Sequence, residues 1–188
     1  MSYILLAMCD EMHADVVAGF QEAVRDEIGL ELRPQPCAMD WSAAWDPARR
    51  QFNSSLALRT LLERGSGGAL RLLAVTERDL FIPMLSFVYG QAQLGGTFAV
   101  VSLARLRQEF FGLPPNQDLF LLRARTEILH ELGHTFGLTH CPNPACAMAL
   151  ATNLRQLDLK EDTFCESCRM LLRERRNMDE IPLANPGR

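Results

Sequence analysis

Apolar residues recur along the chain with two different periods, and the switches between them mark out its elements. Tyr3-Ile4-Leu5-Leu6-Ala7-Met8 is apolar throughout, which predicts a short buried strand. From Asp10 to Leu30 the spacing becomes helical. Val16, Val17, Phe20, Ala23, Val24 and Ile28 share one face, and Gly29 suits the helix end. Leu30–Arg33 predicts a second strand, stopped by Pro34 and Pro36. Asp46-Pro47, a capping residue followed by proline, predicts a second helix to about Arg64, ended by Gly65-Ser66-Gly67-Gly68. Leu70–Thr76 is a third strand. Strand, helix, strand, helix, strand is the rhythm of right-handed crossovers around a parallel sheet.

The second half departs from that rhythm. Phe87–Leu94 and Thr97–Leu103 flank Gly95-Gly96, a hairpin signal, so one of these strands runs antiparallel, most naturally at the sheet edge. Leu113-Pro114-Pro115-Asn116 is a linker, and a central helix follows from Gln117 to Gly137. Leu122, Ile128, Leu129, Leu132 and Phe136 supply its buried side. A last short helix is expected over Arg169–Arg176, before a tail from Asn177 punctuated by proline and glycine. Trp41 and Trp45 sit in a loop over 37–48, where packing outranks a role in lining a cleft.

Composition narrows the class without redirecting it. With 188 residues, 48% hydrophobic, 22% charged and a net charge of −4, the chain is expected to be one folded domain with no nucleic-acid partner. No apolar run is long enough to span a bilayer, and the run at 3–8 is too short for a secretion signal, so no membrane partner and a cytoplasmic location are expected. Lys160 is the only lysine beside many arginines, which reads as coding bias. Six cysteines in such a chain favour metal ligands or free thiols over disulfides. Cys9 and Cys37 have no partner spacing and read as small buried apolar residues.

The candidate chemistry is concentrated at His130-Glu131-Leu132-Gly133-His134-Thr135-Phe136-Gly137-Leu138-Thr139-His140-Cys141. His130 and His134 are four apart, on one face of a helix, so both can reach one metal. Gly137 can take a positive φ, end the helix and return His140 as a third ligand. Gly133 is too small to crowd that face. Three protein ligands leave a position for water, the catalytic pattern for zinc. Glu131 sits where a general base would act on that water. Nickel, iron or cobalt would also suit three imidazoles. Cys141, Cys146, Cys165 and Cys168 match a four-thiolate site with no open position, the structural zinc pattern; an iron–sulfur cluster is the runner-up and free thiols the remaining reading.

The histidine stretch resembles the metzincin zinc-protease signature. The run Cys141, Cys146, Met148, Cys165 and Cys168 resembles the archaemetzincin family in particular, with a spacer of sixteen residues between Met148 and Cys165, one shorter than the family form. Arg49-Arg50-Gln51-Phe52, Thr76-Glu77-Arg78-Asp79-Leu80 and Val100-Val101-Ser102-Leu103-Ala104-Arg105-Leu106 are similar to that family too. The resemblance implies an α/β (α+β) fold with a mixed, mostly parallel sheet and an antiparallel edge strand, placed in Phe87–Gln93. In metzincins that strand borders the cleft and pairs with substrate; an inert covered edge is equally compatible with the residues. It also implies that Met148 supports the metal from below as a Met-turn residue, a role close to that of any core methionine. Two zinc ions follow, one catalytic and one structural.

Residues 1–188 are thus expected to be one catalytic domain. Residues 1–140 would be the sheet and helix part with the active-site helix, and 141–188 the Cys₄ zinc and Met-turn part. The expected function is a monomeric zinc metallopeptidase that hydrolyses peptide bonds in a peptide or protein substrate, using a zinc-activated water and Glu131. The alternative is a zinc-stabilised peptide- or protein-binding module with little turnover, which needs no base at Glu131. Hydrolysis of a non-peptide bond is a third, weaker reading.

Overall fold

The structure, a computed structural model, describes residues 2–180. In chain order the elements are β1 (Tyr3–Met8), α1 (Ala14–Ile28), β2 (Glu31–Pro36), β3 (Trp45–Asp46), β4 (Gln51–Asn53), α2 (Ser54–Arg64), β5 (Arg71–Thr76), β6 (Leu80–Phe81), β7 (Gly90–Ala92), β8 (Phe98–Ser102), α3 (Gln117–Thr135), α4 (Leu154–Leu157) and α5 (Glu166–Glu180). The main sheet has the order β2-β1-β5-β8-β7. Its first four strands are parallel, and β7 runs antiparallel to β8 at the edge. This is the mixed sheet expected from the hairpin signal.

Both faces of the sheet are covered. Ile4, Leu6, Leu73, Val75, Ala99 and Val101 pack against the apolar sides of α1 and α3. Ala7, Leu72, Ala74 and Val100 face the other way, towards Leu58 and Leu61 of α2 and towards Trp41. Double coverage explains why β5 and β8 are buried at every position and read as continuous apolar runs.

Several boundaries differ from the sequence reading, each for a physical reason. β2 does not stop at its prolines: Leu6 pairs with Pro34 and Met8 with Pro36. β2 is an edge strand, where a missing N–H is tolerated. Asp46-Pro47 does not open a helix. The Asp46 carboxylate accepts N–H bonds from Ala48 and Arg49 at 2.9 and 3.0 Å and closes a turn, with Arg50 at φ 56°. α2 begins later, under Asn53, whose side-chain oxygen accepts from Ser55 and Leu56. An Asx side chain caps a turn or a helix by the same bond, so sequence leaves the two open. The two tryptophans pack on Phe52 and do not reach the cleft described below. The strand expected over 87–94 is confined to Gly90–Ala92. Leu122 is exposed, not part of the buried side of α3. The last helix is longer than expected and takes in Asn177; the rest of the tail, 181–188, lies outside the described residues. No helix among the described residues is long and apolar enough to cross a membrane.

α3 is the element the site hangs on. Asn116 caps its start by accepting from the Leu119 N–H at 3.0 Å. At its end Gly137 takes φ 84°, and the Leu138 N–H returns to the Gly133 carbonyl at 3.0 Å. The tip of the β7–β8 hairpin closes on the same helix end, Gly95 N–H donating to the His134 carbonyl at 2.9 Å. Beneath α3, the loop from His140 to Cys165 presents fully buried Met148. Gly133 faces Met148 and Phe164, so its small size serves that floor and not the metal face.

A Cβ at position 133 would collide with the Met148 sulfur. Gly133→Ala should therefore lower stability by at least about 1 kcal/mol, even against the ~1 kcal/mol helix-propensity gain of alanine. Thermal unfolding of the two proteins checks it; an unchanged or raised midpoint would mean that Met148 moves aside freely.

Candidate metal centre and cleft

His130 and His134 project from the last turns of α3, and the turn at Gly137 brings His140 back beside them. One ligand atom from each of the three rings falls within a 4.8 Å cluster. The ring orientations are set from behind. His130 Nδ1 lies 2.8 Å from the Ala147 carbonyl, and His134 Nδ1 lies 2.8 Å from the Leu138 carbonyl. A carbonyl can only accept, so both Nδ1 atoms carry the proton and both Nε2 atoms are bare. Those two bare nitrogens face each other at 3.1 Å. Two lone pairs in that position repel unless a cation sits on them. Two nitrogens sharing a tetrahedral zinc with bonds of about 2.0–2.1 Å stand roughly 3.3 Å apart, so the donor set fits zinc.

Burial lowers the proton affinity of all three imidazoles, most strongly for His130, where the Lys160 ammonium adds to the effect. Neutral rings are the form that ligates. The Glu131 side chain lies against β7 and lines the same cavity as the three rings. Its carboxylate rests on Gly90, where a Cβ would stand 2.7–2.8 Å from it. Glu131 is 5% exposed and Oε2 has no hydrogen-bond partner. Burial, then the Glu127 carboxylate, push its pKa well above the usual carboxylate range, and Lys160 pulls it part of the way back.

The four expected cysteines also come together. One sulfur from each of Cys141, Cys146, Cys165 and Cys168 falls within a 4.8 Å cluster, and Cys141 and Cys165 stand 3.7 Å apart. Zinc–sulfur bonds of about 2.3 Å put tetrahedral thiolates roughly 3.8 Å apart, so this set fits zinc as well. The N–H groups of Met148 and Cys165 both point at Cys146 Sγ, at 3.4 and 3.3 Å, as suits a thiolate. Cys9 and Cys37 stand outside this group. They are nevertheless neighbours, since Cys37 N–H bonds the Met8 carbonyl as β2 leaves β1; spacing gave no sign of it.

A cavity of about 420 Å³ opens over the histidines. One wall is residues 85–92, ending in β7; the other includes Leu150, Ala151 and Thr152. The stretches singled out for their similarity turn out to brace the first wall. Arg49 donates to the Leu85 and Pro83 carbonyls at 2.9 and 3.2 Å, and Asp79 pairs with Arg105 at 2.6 and 2.8 Å.

Two wall residues and one residue behind the wall escaped the sequence reading. Gly90 seats Glu131. Glu127, one turn before Glu131, also lines the cavity. Lys160, read as coding bias, is buried behind it, 3.2 Å from Glu127 Oε1 and 3.4 Å from His130 Nδ1. A sole lysine among arginines was the one signal that sequence offered.

Comparison with known proteins agrees with this geometry. The family model of peptidase family M54 matches residues 68–174. The archaemetzincin of Methanocaldococcus jannaschii is 43% identical over 132 residues, 70% of this chain and 72% of that protein. The crystal structure of archaemetzincin from Methanopyrus kandleri superposes with a TM-score of 0.83 at 34% identity, over 94% of this chain and 96% of that one. A zinc-dependent peptidase from Methanocorpusculum labreanum superposes with a TM-score of 0.75 at 27% identity, over 90% and 99%.

Because the imidazoles are held below their ordinary proton affinity, protons compete with a metal only under more acid conditions than for free histidine, about 6.5. In a Glu131→Gln background, where the raised carboxyl contributes no proton, zinc affinity at the histidines should fall less between pH 7 and 6 than three free imidazoles would give, with the main loss at lower pH. Competition against a chromophoric chelator measures it. A steep loss already between pH 7 and 6 would contradict the shielding.

Proposed function

The chain belongs to peptidase family M54 and is a zinc metallopeptidase, and on that premise we propose that His130, His134 and His140 hold the zinc of the active site while Glu131 is its general base. The observation that carries this reading is the pair of bare Nε2 atoms at 3.1 Å with a buried carboxylate on the same helix, at the bottom of an open cleft. Zinc, when bound there, supplies a Lewis acid that polarises the scissile carbonyl and makes a water acidic. Glu131 takes the proton of the attacking water and delivers it to the leaving amine. Its burial suits the first proton transfer, since a carboxylate with raised proton affinity is a stronger base, and the more basic leaving amine then takes that proton as the C–N bond breaks. Gly90, having no side chain, leaves the room against β7 that the Glu131 side chain occupies.

The free edge of β7 offers an extended peptide a strand to pair with, alongside the metal. The four cysteines hold a second, structural zinc, and Met148 forms the floor beneath the first. Residues 1–188 act as one catalytic domain, with 141–188 stapling the metal face of 1–140. An open cleft among the described residues supports turnover over simple retention of a peptide.

Glu131→Gln should keep its zinc and lose about 10²–10⁴-fold in peptide hydrolysis. Full turnover in that variant would reject Glu131 as the base. Metal content should be near two zinc ions per chain, falling by one in His130→Ala/His134→Ala and by the other in Cys165→Ser/Cys168→Ser. A single zinc lost only with the cysteines would reject the histidine site. Cys141 adjoins His140 and donates its N–H to the Met148 carbonyl at 2.9 Å, so the cysteine metal also fixes the backbone that presents His140. Cys141→Ser should therefore weaken zinc at the histidines too; an unchanged affinity there would show the two sites to be independent.

A further inference from the structure

The Glu127–Lys160 pair is not needed to hold a metal or to move a proton in peptide hydrolysis, yet it borders the cleft. We propose that Glu127 is a specificity residue, whose carboxylate reads a neutral N–H donor, a glutamine or asparagine carboxamide, on the substrate side chain next to the metal. This inference rests on the reading of the cleft as a peptidase site. Four observations carry it.

The first is asymmetric burial. Glu127 lines the cavity and Lys160 does not; their side chains are 5% and 1% exposed. Substrate therefore meets the carboxylate, not the ammonium. The second is an open acceptor. Lys160 takes Oε1 at 3.2 Å, and Oε2 has no partner among the described residues. The third is charge. The ammonium already neutralises this carboxylate, and no lysine or arginine is among the residues that line the cavity. What the wall offers is an acceptor without net negative charge, beside a site for a divalent cation. A neutral donor suits that better than a second cation does. The fourth is shape. Leu85 and Leu150, 49% and 58% exposed, stand at the mouth of the same cavity, while Glu127 is 3% exposed and lies further in. A side chain with an apolar stem and an amide end matches that order of surfaces. A subsite built to hydrogen-bond such a group rejects the isostere that lacks it, because the acceptor is then covered and left unpaired.

The test uses hydroxamic acids on one common backbone, whose metal-binding head fixes them at zinc while a single adjacent side chain varies: glutamine, glutamate, methionine or lysine. Binding to the zinc-loaded wild-type protein is measured by calorimetry. The glutamine compound should bind at least about tenfold more tightly than the methionine one, with glutamate weakest and lysine no better than glutamine. In Glu127→Met/Lys160→Met, which removes the acceptor and both charges together and leaves no charge buried alone, the glutamine-to-methionine ratio should fall towards one. Methionine equal to or above glutamine in the wild type overturns the proposal, whether or not the double variant folds. So does lysine as the tightest ligand, or a glutamine preference that survives in a folded double variant. If no compound of the series binds the zinc-loaded protein, the peptidase reading of the cleft falls and this inference falls with it; binding without side-chain preference removes this inference alone.

Discussion

Two nitrogen lone pairs held 3.1 Å apart are the constraint on which the site depends, because nothing in the pair itself favours that approach. The approach is enforced from behind. Each ring is gripped by a backbone carbonyl, and the two carbonyls come from different places: Leu138, just past the turn that ends α3, and Ala147, in the loop beneath it. The geometry at the histidines is thus only as good as the agreement between a helix end and a loop. Most of the surrounding structure serves that agreement. The Gly137 turn is closed by bonds to Gly133 and His134, and the β7–β8 hairpin adds a third contact through Gly95. The sheet behind gives α3 a rigid apolar seat in Leu73, Val75 and Val101.

The loop is the weaker partner and is reinforced accordingly. From Cys141 to Phe164 it contains one helix of four residues and a single isolated bridge, Cys141 with Ala149. A few backbone bonds, such as Ala147 N–H to the Thr163 carbonyl, tie its strands together. Four sulfurs gathered at its two ends provide what secondary structure does not. A metal held by them would join residues far apart and remove much of the freedom of the open loop. The cysteine cluster and the histidine cluster adjoin at the peptide bond between His140 and Cys141, so a metal on the one would bear directly on the backbone of the other.

What could be read from the sequence follows the range over which each interaction acts. β1 and β5 were legible because a strand buried on both faces leaves a continuous apolar run. The three histidines were legible because helix periodicity and one glycine place them, all within eleven residues. The paired strands β4 and β6 were not, being three and two residues long and too short for any period. Nor was the survival of β2 through Pro34 and Pro36, which depends on its lying at an edge, a fact of topology. At the site, Glu131 was found but its seat was not. Gly90 is one glycine among twelve in sequence, and only the fold brings it under the carboxylate. Lys160 lies 33 residues from Glu127, so its composition signal had no visible partner.

That lysine also shows why a polar pair is tolerated so deep in the molecule. Breaking a buried ion pair by losing one member is costly, but an apolar pair of similar volume would often serve stability as well or better. Stability alone therefore does not explain Glu127 and Lys160. Nor is the choice of cation incidental. Four residues earlier on α3, Arg123 uses its planar fork to grip Asp158 through two bonds at 2.6 and 2.8 Å, and it also reaches the Leu106 carbonyl. Behind Glu127 there is a single carboxylate oxygen to satisfy, with the His130 ring already donating from Nδ1 to the Ala147 carbonyl close by. A guanidinium would bring five donors and a wider plane to a place that accepts one small charge. A compact ammonium fits, and it holds one carboxylate oxygen while the other is left facing the cleft. An apolar replacement would fill the same volume and give that wall no acceptor at all.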